Sequence, residues 1–475
     1  MLLFGAIVAA ASVATAFFAG TRSGETVTPA GTEFRVNTTI VNTQRIWFET
    51  PGAVAMDAAG NSVVTWTSSG QDGSLDGVYA QRYDADRIPQ GPEFQVNTTI
   101  TNDQRRSSVA MDTTGNFVIV WASNGQDGSG WGVYAQQYNA GGAPQGSEFL
   151  VNTTTANSQG WAGVAMDPSG NFVITWSSNG QDFGTGAGVY AQRYNATGAP
   201  QGGEFLVNTT VNNDQQFPRV AMDDSGNFVI TWTSSGQDGG VTGVYGQRFN
   251  AAGTPQGSEF RVNTTTASAQ EWSSVDMDSD GDFVVTWSSN LQDGGGFGVY
   301  AQPYNAVGTP QGGEFLVNTT TSNDQQYSDV AMDAGGNFLI AWTSFGQDPG
   351  GNVGVYAQEF NAAGVPQGGE FRVNTTTAGQ QHHPSAAMDM DGDALVVWHG
   401  DGPGDGAGVF AQAYTTGVSP TVTATATPIP TATATATATA TDTTTPSPSA
   451  TDTPDPFTDA YFASDTNGHA DTDAR

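Results

Sequence analysis

Three of the four histidines in this 475-residue chain lie close together, at His382, His383 and His399, with Asp401 just beyond them. Imidazoles and a carboxylate that converge can hold zinc or another transition metal. Adjacent His382 and His383 suit one ion only if the chain bends there, and a surface coincidence is the plainer reading. Two acidic runs, Asp278-Ser-Asp280-Gly-Asp282 and Asp389-Met-Asp391-Gly-Asp393, offer oxygen ligands of the kind calcium takes. Calcium is therefore the one cofactor the sequence suggests, although elsewhere in the chain the same place reads as an ordinary hairpin turn.

A second chemistry is recognition. Trp161, Phe217, Trp272, Tyr327 and His383 stand at equivalent places in loops rich in Asn, Gln and Asp. Aromatic faces beside polar groups make a surface on which sugar rings stack; the plainer reading is packing between neighbouring units. Asp72, Asp127, Asp182, Asp238, Asp293 and Asp348, with Asp401 roughly equivalent, recur in a second loop and form a rim of acceptors for cations or hydroxyls. Recurrence at every copy favours carboxylates that satisfy loop backbone groups instead. No nucleophile–base pair stands out, so no catalytic residue is assigned from sequence.

The equivalence of these places rests on a repeat. Trp66, Trp121, Trp176, Trp232, Trp287, Trp342 and Trp398 are separated by 55 or 56 residues, and a fixed period marks a repeat architecture. Each unit divides into four short strand candidates: Val-Ala-Met-Asp, then an Asp-x-x-Gly-Asn turn, an apolar run ending at Trp, a Gly-rich loop, a Val-Tyr-Ala-Gln strand, and a Glu-Phe-x-Val-Asn strand. Four strands per unit fit one blade of a β-propeller. The fourth-strand phrase begins at Glu33, before any complete unit, and the last unit stops after its third strand at Tyr414. This phase predicts an all-β, seven-bladed propeller over residues 29–416, closed by the N-terminal strand pairing into the last blade and leaving no open sheet edges. Pro303 sits badly in a third strand. The spacing from Glu33 to Glu93 is 60, an insertion placed between strands. The recurring Gln of the third strands, Gln81 to Gln412, are expected to bridge blades.

Phrases such as Gly-Val-Tyr-Ala-Gln-Arg-Tyr-Asn-Ala (residues 188–196) and Val-Ala-Met-Asp-x-x-Gly-Asn-Phe resemble repeats of large secreted bacterial proteins. The resemblance covers residues 33–414 and is to uncharacterised propeller-like repeats often attached to adhesin-like modules. It implies a secreted propeller and brings no catalytic motif. The Asp-x-x-Gly turn also resembles the Asp-box of sialidase propellers, with different spacing and no matching arginine triad.

Composition sets outer limits. There are 13 Lys+Arg, all of them Arg, against 46 Asp+Glu, a net charge of −33. Such a field repels phosphate backbones and excludes nucleic acid as a partner. No Cys is present, so disulfides and thiol chemistry are excluded too. Residues 1–20 read as a signal peptide, with an uncleaved membrane anchor as the alternative. Residues 417–456 form a Thr/Ala/Pro-rich stalk and residues 457–475 an acidic disordered tail. The expectation is a monomeric, secreted or cell-surface binding module for a glycan or protein ligand, without catalysis. The alternatives are a metal-assisted hydrolase or lyase centred on the last blade, and a purely structural spacer.

Overall fold

The computed structural model describes residues 27–49, 52–182 and 186–415. The segments read as signal peptide or anchor, stalk and tail lie outside the described residues. The remainder is all-β: seven antiparallel sheets, each running inner, second, third, outer strand. In blade 2 these strands are Gln104–Met111, Phe117–Asn124, Trp131–Tyr138 and Phe149–Leu150. The second strand is apolar on both faces because both are covered; Phe117 to Trp121 are all at most 1% exposed. Trp121 lies directly opposite Tyr134 and stacks on it at 6.4 Å, a pairing repeated by Trp176–Tyr190 and Trp287–Tyr300. Between inner and second strands, Asp112 Oδ1 accepts the N–H groups of Thr114 and Asn116, both at 2.9 Å, which fixes the hairpin.

The ring closes as its phase predicts. Blade 7 holds Gln381–Met388, Ala394–Gly402 and Asp405–Thr415, and its fourth strand comes from the N-terminus. Phe34 and Arg35 pair with Ala411 and Phe410, while Thr28 and Pro29 pair with Thr415 and Tyr414. Every blade repeats one further device. The Glu that opens the outer strand accepts hydrogen bonds from the Thr-Thr loop entering the same blade, as Glu148 does from Thr98 N at 2.6 Å. Glu33 completes the set by accepting from Thr375 N at 2.6 Å across 342 residues of sequence.

Two expectations need adjustment. The third-strand Gln do not bridge blades: Gln136 Nε2 donates to Gly146 O and Gln412 Nε2 to Gly31 O, each tying a third strand to the approach of its own outer strand. Pro303 fits because its carbonyl accepts Gln311 N–H, which puts its nitrogen on the outer side, where the neighbouring strand pairs only at Tyr300 and Ala301. The Asn of the outer strands is buried and structural: Asn97 and Asn152 Oδ1 accept Val78 and Val133 N–H at 2.7 Å.

The loops entering the inner strands and those joining second to third strands share one face, here the upper face. The inner-to-second hairpins open on the lower face.

Candidate functional site

Each inner strand of blades 2 to 7 carries a β-bulge near its upper end, with register shifts such as Glu271/Ser274 and His382/Ser385. The bulged residues are Arg106, Trp161, Phe217, Trp272, Tyr327 and His383, with φ between 52° and 58°. A side chain beyond Cβ makes this left-handed conformation costly, by about 1–3 kcal/mol per residue. A hydroxyl of the preceding blade helps hold it: Thr233 Oγ1 accepts Trp272 N–H, Ser288 Oγ accepts Tyr327 N–H and Thr343 Oγ1 accepts His383 N–H, at 3.2, 3.2 and 2.9 Å. These six side chains converge on the propeller axis, as their mutual contacts show.

Among the described residues the first blade shows no such bulge. Its inner strand is split into Gln44–Arg45 and Val54–Met56, and the extra residues enter the axis rather than lying between strands. Phe48 sits 4.7 Å from the Tyr327 ring, 5.4 Å from His383 and 5.7 Å from Trp272. Trp47 lies under the guanidinium groups of Arg45 and Arg106, at 4.7 and 4.9 Å. Trp161 and Phe217 are therefore fully buried, at 1% and 3% exposure, while Trp272 and Tyr327 are half-buried. The anticipated ring of glycan-stacking aromatics is instead largely an interior seat for residues 47–49. Arg106 is a member of that ring that sequence reasoning missed. Counting two residues on from Gln104, as from Gln159 to Trp161, would have found it.

Below the rings lies a polar layer that breaks the sevenfold pattern. Asp329 accepts from Ser274 Oγ at 2.6 Å, from Ser385 Oγ at 3.0 Å and from Ala386 N at 2.9 Å. Ser385 Oγ in turn accepts Gly52 and Ala53 N–H, both at 3.0 Å. Arg219, wholly buried, donates to the Glu49 carbonyl, and Arg106 faces the Glu49 carboxylate at 3.6 Å. Burial lowers the Arg219 pKa to about 10 against the pull of Asp329 and Glu49. Burial raises Asp329 above the usual carboxylate range, and raises Asp276, bonded to the Met277 and Met332 amides, to about 7. This layer links blades 4 to 7 to the first blade. It too went unpredicted, although Arg219, Asp276 and Asp329 visibly depart from the repeat.

The bulge decides the fate of the histidines. In a regular strand adjacent side chains diverge, whereas a bulge turns two consecutive ones toward the same side. His382 and His383 thus both reach His399, with ring centroids at 4.3 Å for His382–His399, 4.6 Å for His382–His383 and 4.8 Å for His383–His399. Their candidate ligand atoms lie within 4.8 Å of one another, and all three residues are buried. His399 occupies the second-strand position filled in blades 4 to 6 by Thr233, Ser288 and Thr343, whose hydroxyls receive the next blade's bulge N–H. The next blade here is the first, which presents residues 46–49 instead, so an imidazole fits where a hydroxyl stands elsewhere.

Burial, reinforced by the neighbouring His382 and His399, holds the His383 pKa well below its ordinary value, so the ring is neutral and its lone pair available. It shares a hydrogen bond with the Ile46 backbone, and its buried Nδ1 has no hydrogen-bond partner. Imidazole nitrogens suit zinc, copper or nickel, and not calcium, which takes oxygen donors. Asp401 does not join them: its carboxylate accepts Gln380 N–H at 2.8 Å. Among the described residues this is the one group of three or more His, Asp, Glu or Cys placed to share an ion.

The remaining candidates stay apart from this cluster. Asp278, Asp280 and Asp282, like Asp389, Asp391 and Asp393, form lower-face hairpins in which Asp278 Oδ1 and Asp389 Oδ1 accept two backbone N–H groups each. These are the hairpins of every other blade with Asp replacing Asn, and burial raises Asp278 and Asp389 to about 6. Asp72, Asp127, Asp238 and Asp293 turn back on their own upper-face loops, Asp72 Oδ1 accepting Ser74 N–H at 2.9 Å. Asp348 accepts from Tyr356 Oη and Asn374 Nδ2, both at 2.8 Å, and Asp182 is buried.

No protein-family model matches the chain, and no curated protein matches it. Solved structures share the propeller architecture at low identity. The polysaccharide lyase Uly1 is 10% identical, over 77% of this chain and 89% of its own, with a TM-score of 0.47. The β-propeller domain of the Trilobed protease from Pyrococcus furiosus, described as having an open velcro topology, is 7% identical over 76% and 92%, with a TM-score of 0.44. An endo-arabinase from Bacteroides thetaiotaomicron is 13% identical over 53% and 92%, with a TM-score of 0.32. The expectation of a non-catalytic binding module is not upheld: several of the structures resembled are named as enzymes, a likeness that at these identities shows the fold alone, and the aromatic ring expected to stack glycans is chiefly interior packing.

Proposed function

We propose that this protein is a metal-assisted hydrolase or lyase acting on a glycan, with its centre at His382, His383 and His399 where the last blade meets the first. The observation that carries the reading is the bulge that turns adjacent His382 and His383 onto His399 in a buried cluster. A cation held by three imidazoles keeps a fourth position for water or a substrate oxygen and acts there as a Lewis acid. A glycan is in keeping with Trp272 and Tyr327, the two aromatic rings of the axial set that keep partial exposure near the cluster while packing against Phe48. The test uses the full chain, stripped of metal, reloaded with Zn²⁺ and dialysed. One ion should remain per chain, be lost in His399→Ala and His383→Ala, and restore glycan cleavage only in the unsubstituted protein. An unsubstituted chain that retains no ion overturns the reading.

A further inference from the structure

Resting on that reading of the histidine cluster, we infer that the substrate is a neutral or positively charged polysaccharide, cut by hydrolysis rather than by elimination. Elimination from a glycan requires a uronate. A base removes the proton beside the carboxylate, the C–O bond to the neighbouring sugar breaks, and a double bond forms in the ring. The enzyme must neutralise that carboxylate while binding a polymer that carries a negative charge at every uronate.

The upper face is built against this. The chain has no Lys. The arginines nearest the axis are already engaged: Arg45 with Asp76 at 3.6 Å, Arg105 with Asp76 at 2.7 Å and Asp103 at 2.9 Å, and Arg106 with Glu49 at 3.6 Å. Around them stand two concentric sets of carboxylates on the same face. One is the outer-strand Glu that bind the entry loops, Glu93 also accepting from Gln71 Nε2 of the neighbouring loop at 2.8 Å; the other is the Asp of the second-to-third loops. In a chain of net charge −33, a face lined with these carboxylates repels a polyanion and draws in a polycation. A neutral or amino-sugar polymer meets no such barrier.

In the step that remains, water adds across the glycosidic C–O bond. Its hydroxyl goes to the anomeric carbon and its proton to the departing oxygen, so no oxidant or further reactant is needed.

The experiment incubates the Zn²⁺-loaded full chain with polygalacturonate, a neutral arabinan and chitosan, at low and high salt. New reducing ends should appear with arabinan or chitosan at least about tenfold faster than with polygalacturonate. Any chitosan cleavage should slow as salt rises, while arabinan cleavage should not respond. Metal-dependent formation of the ultraviolet-absorbing unsaturated product from polygalacturonate overturns the inference and leaves the metal reading standing. Absence of metal-dependent cleavage from all three polymers overturns both.

Discussion

Replacing Glu33 by alanine removes the carboxylate that holds the N-terminal strand against the entry to the last blade. Glu33 is 8% exposed and accepts from Thr375 N at 2.6 Å, Thr375 Oγ1 at 2.7 Å, Thr376 Oγ1 at 2.9 Å and Thr376 N at 3.1 Å. Hydrogen bonds to a charged group contribute about 1.5–3 kcal/mol each when isolated. These share one carboxylate, and the Thr375 and Thr376 donors can return to water, so roughly 3 kcal/mol in total is the appropriate scale. The loss falls on a strand that no covalent link ties to its blade, and it should appear as local opening rather than global unfolding. Three kcal/mol corresponds to roughly a hundredfold change in the opening equilibrium. Native-state hydrogen exchange should therefore quicken by about that factor at Ala30, Val36 and Val409, whose N–H groups bond to Ala413 O, Val409 O and Asn37 Oδ1. Glu148→Ala is the control, since its outer strand continues into the chain at both ends; Val151 should quicken much less there. Equal responses at the two sites, or no response at Val36 and Val409, would refute a ring whose weakest point is this seam.

The axial layer supplies further expectations. Asp329→Ala removes a carboxylate that attracts the buried Arg219 and leaves Ser274, Ser385 and the Ala386 amide without their acceptor, and should cost about 2–4 kcal/mol by chemical denaturation. Asp276, whose pKa is raised to about 7 from an ordinary 3.8, favours the folded state in its protonated form. Its contribution is full below about pH 4 and is lost as pH rises through 7, by at most about 4 kcal/mol, and Asp276→Asn should flatten that part of the denaturation–pH profile. Phe48→Ala withdraws a half-buried ring from Trp272, Tyr327 and His383. It should cost about 1–3 kcal/mol and speed the exchange of Zn²⁺ at the histidines, measured by release to a chelating dye.

What the sequence disclosed and what it concealed divide along a physical line. Blade number, strand count and closure were legible because a sevenfold repeat multiplies weak turn and hydropathy signals, and the lone strand at Glu33 has one economical partner. The bulge was not legible. A left-handed backbone at Trp161 or His383 leaves no mark in residue type, since Gly and Asn usually signal it, and so the neighbouring histidines looked ill-placed to share an ion. The insertion was read as lying between strands because length alone does not say where extra residues go. Its Trp47-Phe48 pair enters the axis since the rings of Trp161, Phe217, Trp272, Tyr327 and His383, from five other blades, are already gathered there. Arg106, Arg219, Asp276 and Asp329 were visible as departures from the repeat, but only the bulged geometry shows that they face a common interior.

The same geometry explains why asymmetry collects where the last blade meets the first. Six junctions can be built alike, each second strand offering a small residue to the bulge of the next blade, and identical junctions cannot make a unique centre. The seventh has no bulge to serve, because residues 46–49 replace it, and the place of the hydroxyl is left for His399. The insertion and the histidine cluster therefore form one feature: the Ile46 backbone bonds His383, Phe48 covers its ring, and Ser385 fastens Gly52 and Ala53 immediately below. A repeat protein that needs one distinctive site has this junction to build it from, since a change here disturbs none of the six copied contacts. The closing strand of residues 28–35 must then hold the junction shut, which is why its attachment through Glu33 bears on the histidines as well as on the fold.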